Sequence, residues 1–225
     1  MVKFIRNDTQ KAKDAVMSLN RAKVSHGTYN TSEVNAALFE MFHGKCYICE
    51  NKACVSYQIE HLRPHKGNIE LKYDWNNLFL SCAHCNNIKR EKYDPILDCS
   101  RTDVDLKIAF RKKGNFGTDE VYEFEALDDG IEIQNTIELL RETYHGNTPQ
   151  KKLEAVQIRR KLRRDLYDFK IMIREYEEAD EMDKEDYKYA IRKEVRAGAA
   201  FAAFKRWLLR DNRERYEELL RFCGL

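Results

Sequence analysis

Two cysteine pairs, Cys46/Cys49 and Cys82/Cys85, are each spaced as CxxC; between them lies Glu60–His61, and Asn86 and Lys89 follow directly on the second pair. Each CxxC places two thiolates at the tip of a tight knuckle, and two knuckles complete a tetrahedral four-sulfur site for zinc. A closed site of this kind leaves no open coordination position, so the zinc is expected to be structural and to contribute directly to folding. The alternative is four buried thiols that simply pack a core. Residues 50–81, which separate the knuckles, exceed the needs of a plain zinc ribbon, so something is inserted there. The insert carries Glu60, His61, Pro64 and Asn77–Leu78. A neutral imidazole with a pKa of about 6.5 is available as a base at cellular pH. His84, inside the second knuckle, reads as a solvated filler rather than a replacement ligand.

Local patterns predict the elements that must position these groups. Thr31 or Ser32 caps a helix carrying Val34, Leu38 and Phe42, which Gly44 ends just before Cys46. Apolar runs at 57–59 and 78–80 read as strands, and 83–92 reads as a short helix stopped before Pro95. The order is strand, strand, helix. From Asp103 to Ile133 the apolar residues alternate, as Leu106, Ile108 and Phe110, then Tyr122 and Phe124, then Ile131 and Ile133. Gly114–Asn115 and Asp129–Gly130 supply turns, so a small antiparallel sheet is expected. Beyond Asn135 the chain reads as helix: 137–144 stopped by Gly146–Asn147, then a helix capped by Thr148 with Pro149 in its first turn. That helix carries an apolar stripe of Ile158, Leu162, Leu166, Phe169 and Ile173. Further helices cover roughly 184–196 and 199–222, with a break near Asp211–Asn212.

The knuckle block resembles an HNH nuclease, a ββα-metal fold stapled by a four-cysteine zinc. That family shows an acidic residue plus His, a Pro three residues on, a central Asn-Leu and a closing Cys-x-x-Cys-Asn-x-x-Lys. Each element is present here. The family more often has Asp before the His; Glu60 is longer, which shifts the metal or its preference. The resemblance implies that His61 is the general base that activates water against a scissile DNA phosphate. It implies that Glu60 and Asn86 hold a catalytic Mg2+ or Mn2+, that Asn77 orients the base through hydrogen bonds across the loop, and that Lys89 and His65 contact phosphate or DNA. Hard oxygen donors suit such an ion.

The resemblance extends over more of the chain. Tyr73-Asp74-Trp75 with Asn77-Leu78-Phe79, and the late Ala202-Ala-Phe204-Lys205-Arg206-Trp207-Leu-Leu-Arg210-Asp211, are similar to the HNH subunit (PtuB-like) of Septu-type and retron-associated anti-phage systems. That likeness implies an ABC/SMC-type ATPase subunit (PtuA-like) as partner, and in retron systems a reverse transcriptase with its msDNA. The predicted fold class is thus α+β and mostly helical: an N-terminal helical segment over 1–44, an HNH core with zinc knuckles over 45–98, a small β-rich region over 99–134 and a helical, partner-binding region over 135–225. A zinc-stapled adaptor without chemistry and a stand-alone restriction nuclease are the competing functions. The intact set of Glu60, His61 and Asn86 argues against the adaptor, since a scaffold has no use for those groups.

Composition sets the outer bounds. The charged fraction is 35% with a net charge of only +2, so local patches rather than the total must hold a phosphate backbone. The run Arg159 to Arg164 is one such patch, read equally as a DNA-facing helix or as a solvated or partner-pairing face. Seven cysteines, an odd number, suit metal binding in a reducing compartment better than a disulfide framework. No run of about eighteen apolar residues is present, so no membrane span is expected. Met1 to Arg6 lacks the apolar core of a signal peptide, which points to a cytoplasmic address.

Overall fold

A computed structural model describes residues 1–52, 54–114 and 119–224. Helices α1 (Gln10–Val24) and α2 (Ser32–Met41) form an N-terminal hairpin. Thr9 and Thr31 cap them, each hydroxyl accepting the N–H three residues on. α1 buries Ala12, Ala15, Leu19 and Ala22, one face at helical spacing, while α2 buries Val34, Ala37 and Leu38.

The first knuckle follows, and then strand β1 (Tyr57–His61), helix α3 (Ile69–Lys72), strand β2 (Leu78–Cys82) and helix α4 (Ala83–Lys89). β1 and β2 are antiparallel, with Tyr57 opposite Cys82 and His61 opposite Leu78. β2 is buried along its whole length, the apolar Leu78–Leu80 run and the polar Ser81 alike. Helix α5 (Val104–Lys107) leads into a second hairpin, β3 (Ile108–Lys113) and β4 (Val121–Ala126), in which Phe110 lies opposite Phe124. The predicted turn at Gly114–Asn115 has its second residue outside the described region.

Two expectations of the β-rich region give way. Leu106 lies in the single turn of α5 and is exposed, so the sheet starts only at Ile108. Ile131 and Ile133 open helix α6 (Ile131–His145), not a third strand. Their two-residue spacing is an accident of a helical stripe: Ile133, Ile137, Leu140 and Tyr144 are buried and Ile131 is exposed. Gly130, with φ at 146°, turns the chain out of the hairpin into α6, a conformation L-residues disfavour.

Helix α7 (Pro149–Glu178) starts with Thr148 as cap and Pro149 in its first turn; α8 (Lys184–Glu194), α9 (Ala202–Arg210) and α10 (Glu217–Leu220) complete the chain. The first two thirds of α7 bury Ile158, Leu162 and Leu166 in the main core, which also holds Met1, Phe79, Phe124, Tyr144 and Phe204. Its last third buries Phe169, Ile173 and Tyr176 in a second cluster with Ile191, Val195 and Leu219. α9 ties these parts together through buried charge. Lys205 is fully buried between Asp165, at 2.6 Å, and Glu194. Arg206 and Arg210 converge on the buried Asp105, at 3.3 and 2.7 Å, and the Trp207 indole donates to the Asp105 carbonyl at 2.8 Å. Removing one member of such a buried pair typically costs about 3–5 kcal/mol. The late motif is therefore a structural fastener. No helix among the described residues is long and apolar enough to cross a membrane.

Candidate active site

The knuckles form first, and locally. The Glu50 N–H donates to the Cys46 carbonyl at 2.9 Å, closing the first turn, and Glu50 takes a left-handed φ of 60°. The Tyr47 N–H donates to the Leu80 carbonyl, which lays this knuckle against β2. The second knuckle is the start of α4, with Cys82 at the cap position and Cys85 in the first turn. All four thiols are buried, and their sulfurs lie within 4.8 Å of one another. A tetrahedral ion with bonds of about 2.3 Å to sulfur spaces its ligands roughly 3.8 Å apart; Cys49 and Cys82 are at 3.9 Å. This cluster can hold zinc. Cys54 lies against it, its thiol beside those of Cys49 and Cys82, while Cys99 and Cys223 stay outside.

His84 departs from its predicted role as a solvated filler. Its Nδ1 lies 2.6 Å from Glu154 Oε2, and its Nε2 donates to the Thr143 carbonyl at 2.9 Å. The second knuckle is thereby fastened to α6 and α7.

β1 projects successive side chains to opposite faces. Gln58 and Glu60 share one face and meet α4, on which Asn86 and Lys89 are three residues apart and so on one side. Two rungs result. The Asn86 amide donates to Gln58 Oε1, and Lys89 Nζ donates to Glu60 Oε1 at 2.8 Å. Lys89 Nζ also donates to the His61 carbonyl at 2.8 Å, and the residue is 0% exposed. The expected phosphate contact of Lys89 is corrected accordingly: its ammonium is enclosed and engaged by β1. Burial raises the Glu60 carboxyl above the usual carboxylate range, against the opposing pull of Lys89.

His61, the last residue of β1, points away from that ladder. Its Nε2 lies 3.0 Å from the Lys72 carbonyl. A carbonyl only accepts, so the proton sits on Nε2 and the Nδ1 lone pair is free. Burial lowers the His61 pKa; the bond to Lys72 opposes this, while the charges of His65, Lys89 and Lys72 act with burial. Burial thus favours the neutral ring. Tyr29, from the loop between α1 and α2, meets it edge-on at 4.7 Å between ring centroids, and His65 stands at 4.8 Å on another side. His65 is half-buried, and its Nδ1 accepts the Gly67 N–H.

Asn77 pins the loop that carries the Lys72 carbonyl. Its Oδ1 accepts the Arg63 N–H at 2.8 Å, and its Nδ2 donates to the carbonyls of Arg63 and Leu71 at 2.9 and 3.0 Å. The structure thus groups Gln58, Glu60, Asn86 and Lys89 on one side of β1, and His61, His65 and the Asn77-clamped loop on the other. Tyr29 and Gln58 were absent from the predicted set. Gln58 had a local signal, its two-residue offset from Glu60; Tyr29 had none, since only folding brings it to His61.

Residues 46–92 match the family model described as HNH endonuclease. The chain is also similar to the Septu protein PtuB of Bacillus mycoides (strain KBAB4), with 41% identity over 83 residues, which cover 30% of this chain and 28% of that protein. The chain thus spans well under two thirds of the length of that relative. No solved structure matches the chain. This protein carries an HNH endonuclease domain, and its late charged helix lies outside it.

Proposed function

We propose that the chain is a metal-dependent endonuclease that hydrolyses DNA phosphodiester bonds, with His61 as general base. The observation that carries this reading is the imidazole itself: tautomer fixed by the Lys72 carbonyl, neutral through burial, and Nδ1 left as the acceptor. In the proposed reaction Nδ1 takes a proton from water as its oxygen attacks phosphorus, and the bond to the departing 3′-oxygen breaks. The Asn77 clamp and the edge-on Tyr29 ring hold the imidazole in that orientation.

Glu60 and Asn86 each direct one polar atom to a protein partner and keep an oxygen, Oε2 and Oδ1, that no hydrogen bond engages among the described residues. Two hard oxygens on facing elements suit Mg2+ or Mn2+. Such an ion supplies charge neutralisation at the phosphate and the leaving oxygen. Lys89 holds the Glu60 carboxylate in place while competing with the ion for its charge. Zn2+ on Cys46, Cys49, Cys82 and Cys85 has a structural duty.

The likeness to a Septu protein supports a place in an anti-phage complex in the cytoplasm, with an ABC/SMC-type ATPase as regulating partner and, in a retron setting, a reverse transcriptase with msDNA. The test uses purified protein, alone and with a PtuA-like ATPase, on plasmid DNA in Mg2+. Cutting that His61→Ala abolishes, with zinc content and fold retained, is the expected result. Undiminished cutting by that variant would remove His61 as the base, and an absence of cutting in every combination would favour the adaptor.

A further inference from the structure

A groove runs between α7 and the β3–β4 hairpin, outside the HNH domain. Two clefts lie along this border, one of about 550 Å³ beside Lys152, Arg159 and Arg163 near the start of α7, the other of about 450 Å³ beside Lys170, Arg174, Lys112 and Lys113 further along it. The five cations of α7 stand at spacings of seven, four, seven and four residues, which keeps them on one face. At 1.5 Å per residue the row spans about 33 Å, close to one turn of a DNA duplex. α7 starts at the nuclease domain, where Glu154 meets His84 of the second knuckle, and the row leads away from there.

Charge pairing inside the groove is uneven. Its acids are engaged: Glu120 with Arg163 and Lys112, Glu177 with Arg215, and Asp211 with Arg111. Lys152, Lys170 and Arg174 are exposed and have no acidic partner among the described residues. Tyr167 shares their face, between Arg163 and Lys170, and is 64% exposed. A solvated aromatic ring next to the unpaired Lys170 suits bases and phosphates together. An acidic polypeptide would use the cations alone.

We infer that this groove binds a nucleic-acid strand by its phosphate backbone and holds the substrate beside the HNH domain. The inference rests on the nuclease reading for the identity of its ligand. It assigns substrate grip to residues that the HNH match does not reach.

The test is binding of labelled 30-base-pair duplex and 30-nucleotide single-stranded DNA by the full chain in a His61→Ala background, measured by anisotropy across a salt series. The triple variant Lys152→Ala/Lys170→Ala/Arg174→Ala is expected to bind at least tenfold more weakly. Its log–log salt slope should fall by about 2 to 3, since each lost phosphate contact removes about 0.9. A control triple, Lys3→Ala/Lys11→Ala/Lys13→Ala, removes equal charge elsewhere and should change affinity less than threefold. Parental affinity and slope in the groove triple, or an equal loss in the control, would overturn the inference. So would polyglutamate that displaces DNA at matched charge, because the occupant would then be an acidic polypeptide. Hydrolysis of the p-nitrophenyl ester of thymidine 5′-phosphate, too small to reach α7, separates the two readings in proteins that keep His61. If the parent fails on that ester while the groove triple still loses DNA, the groove stands and the nuclease reading falls. If the ester is cleaved and DNA binding is unchanged, only the groove falls.

Discussion

Asn77→Ala tests whether the loop after β1 sets the catalytic geometry. The substitution removes three hydrogen bonds, one from the Arg63 N–H and two to the carbonyls of Arg63 and Leu71. Asn77 is buried, but Arg63 is exposed, so water can satisfy part of what is lost. At about 0.5–1.5 kcal/mol per bond, the expected destabilisation is about 2–3 kcal/mol. The effect on rate comes by another route. Leu71 immediately precedes Lys72, whose carbonyl fixes the His61 proton on Nε2. Once that carbonyl moves, the ring loses a bond of about 1 kcal/mol that selects its tautomer, and the free Nδ1 loses its aim. A misplacement of about 1 Å at a reacting group can cost about a hundredfold. Single-turnover nicking of supercoiled plasmid at pH 8 should therefore slow by about two orders of magnitude. Zinc content should stay at the parental level, and the chemical denaturation midpoint should fall modestly. Parental nicking rates in a variant that has lost the expected stability would refute the reasoning, because the loop would then hold the fold without holding the base.

Cleavage should depend on pH with a known sign. The base works unprotonated and its pKa is depressed, so activity should rise through a midpoint below 6.5 and be flat by pH 7.5; a cation on Glu60 acts in the same direction. A midpoint above 7 in a pH–rate profile would contradict the burial argument. The same depression links pH to stability: His61 binds its proton more readily unfolded than folded, so its stabilisation is present above pH 6.5 and is lost as pH falls through the folded value. Zinc removal should act on the whole chain. Structural zinc sites contribute on the order of 10 kcal/mol or more, comparable to the stability of a domain, and the four cysteines lie in the main core. Chelation, or Cys82→Ser, should abolish the cooperative melt seen by circular dichroism; an unchanged melt after measured zinc loss would leave the thiols as mere core packing.

What the sequence could disclose depended on range. The knuckles, β1, β2 and α4 were legible from CxxC spacing, short apolar runs and a helix stop, signals that lie within a few residues and survive without tertiary knowledge. The helix from Thr148–Pro149 was legible for the same reason, since cap and first turn are adjacent. Ile131–Ile133 misled because two residues at a spacing of two fit a strand as well as a fragment of helix; only Ile137 and Leu140 break the tie. Lys89 misled differently. The resemblance assigned it to phosphate, yet its offset of three from Asn86 places it on the face of α4 that meets β1, and Glu60 compensates its burial. Lys205, Arg206 and Asp105 show the same blindness on a larger scale, because a sequence displays charge without displaying who neutralises it. Tyr29 depends on the α1–α2 hairpin docking over His61, a contact that no local pattern encodes.

The helices after Asn135 grip both knuckles, and this shapes how control could reach the nuclease. Glu50, the residue after Cys49, is buried and accepts from the Val2 N–H, from Lys45 and from the Ala203 N–H at 2.9 Å, the last at the start of α9. Burial alone would raise its pKa, but Lys45 and the N-terminal ammonium outweigh it and hold the carboxyl at about 2, so the hub stays charged. The Glu50 carbonyl accepts the Phe201 N–H, and the Tyr144 hydroxyl of α6 donates to the Cys49 carbonyl at 2.8 Å. The second knuckle is held by His84 between α6 and α7. A displacement of α7 or α9 therefore has to be absorbed by the backbone that presents the four cysteines, or by breaking buried charge pairs at a cost of several kcal/mol. A partner seated on these helices thus needs no contact with His61 to act on it: the four-cysteine cluster that ties the first knuckle to β2 and α4 is the same structure that the helices clasp.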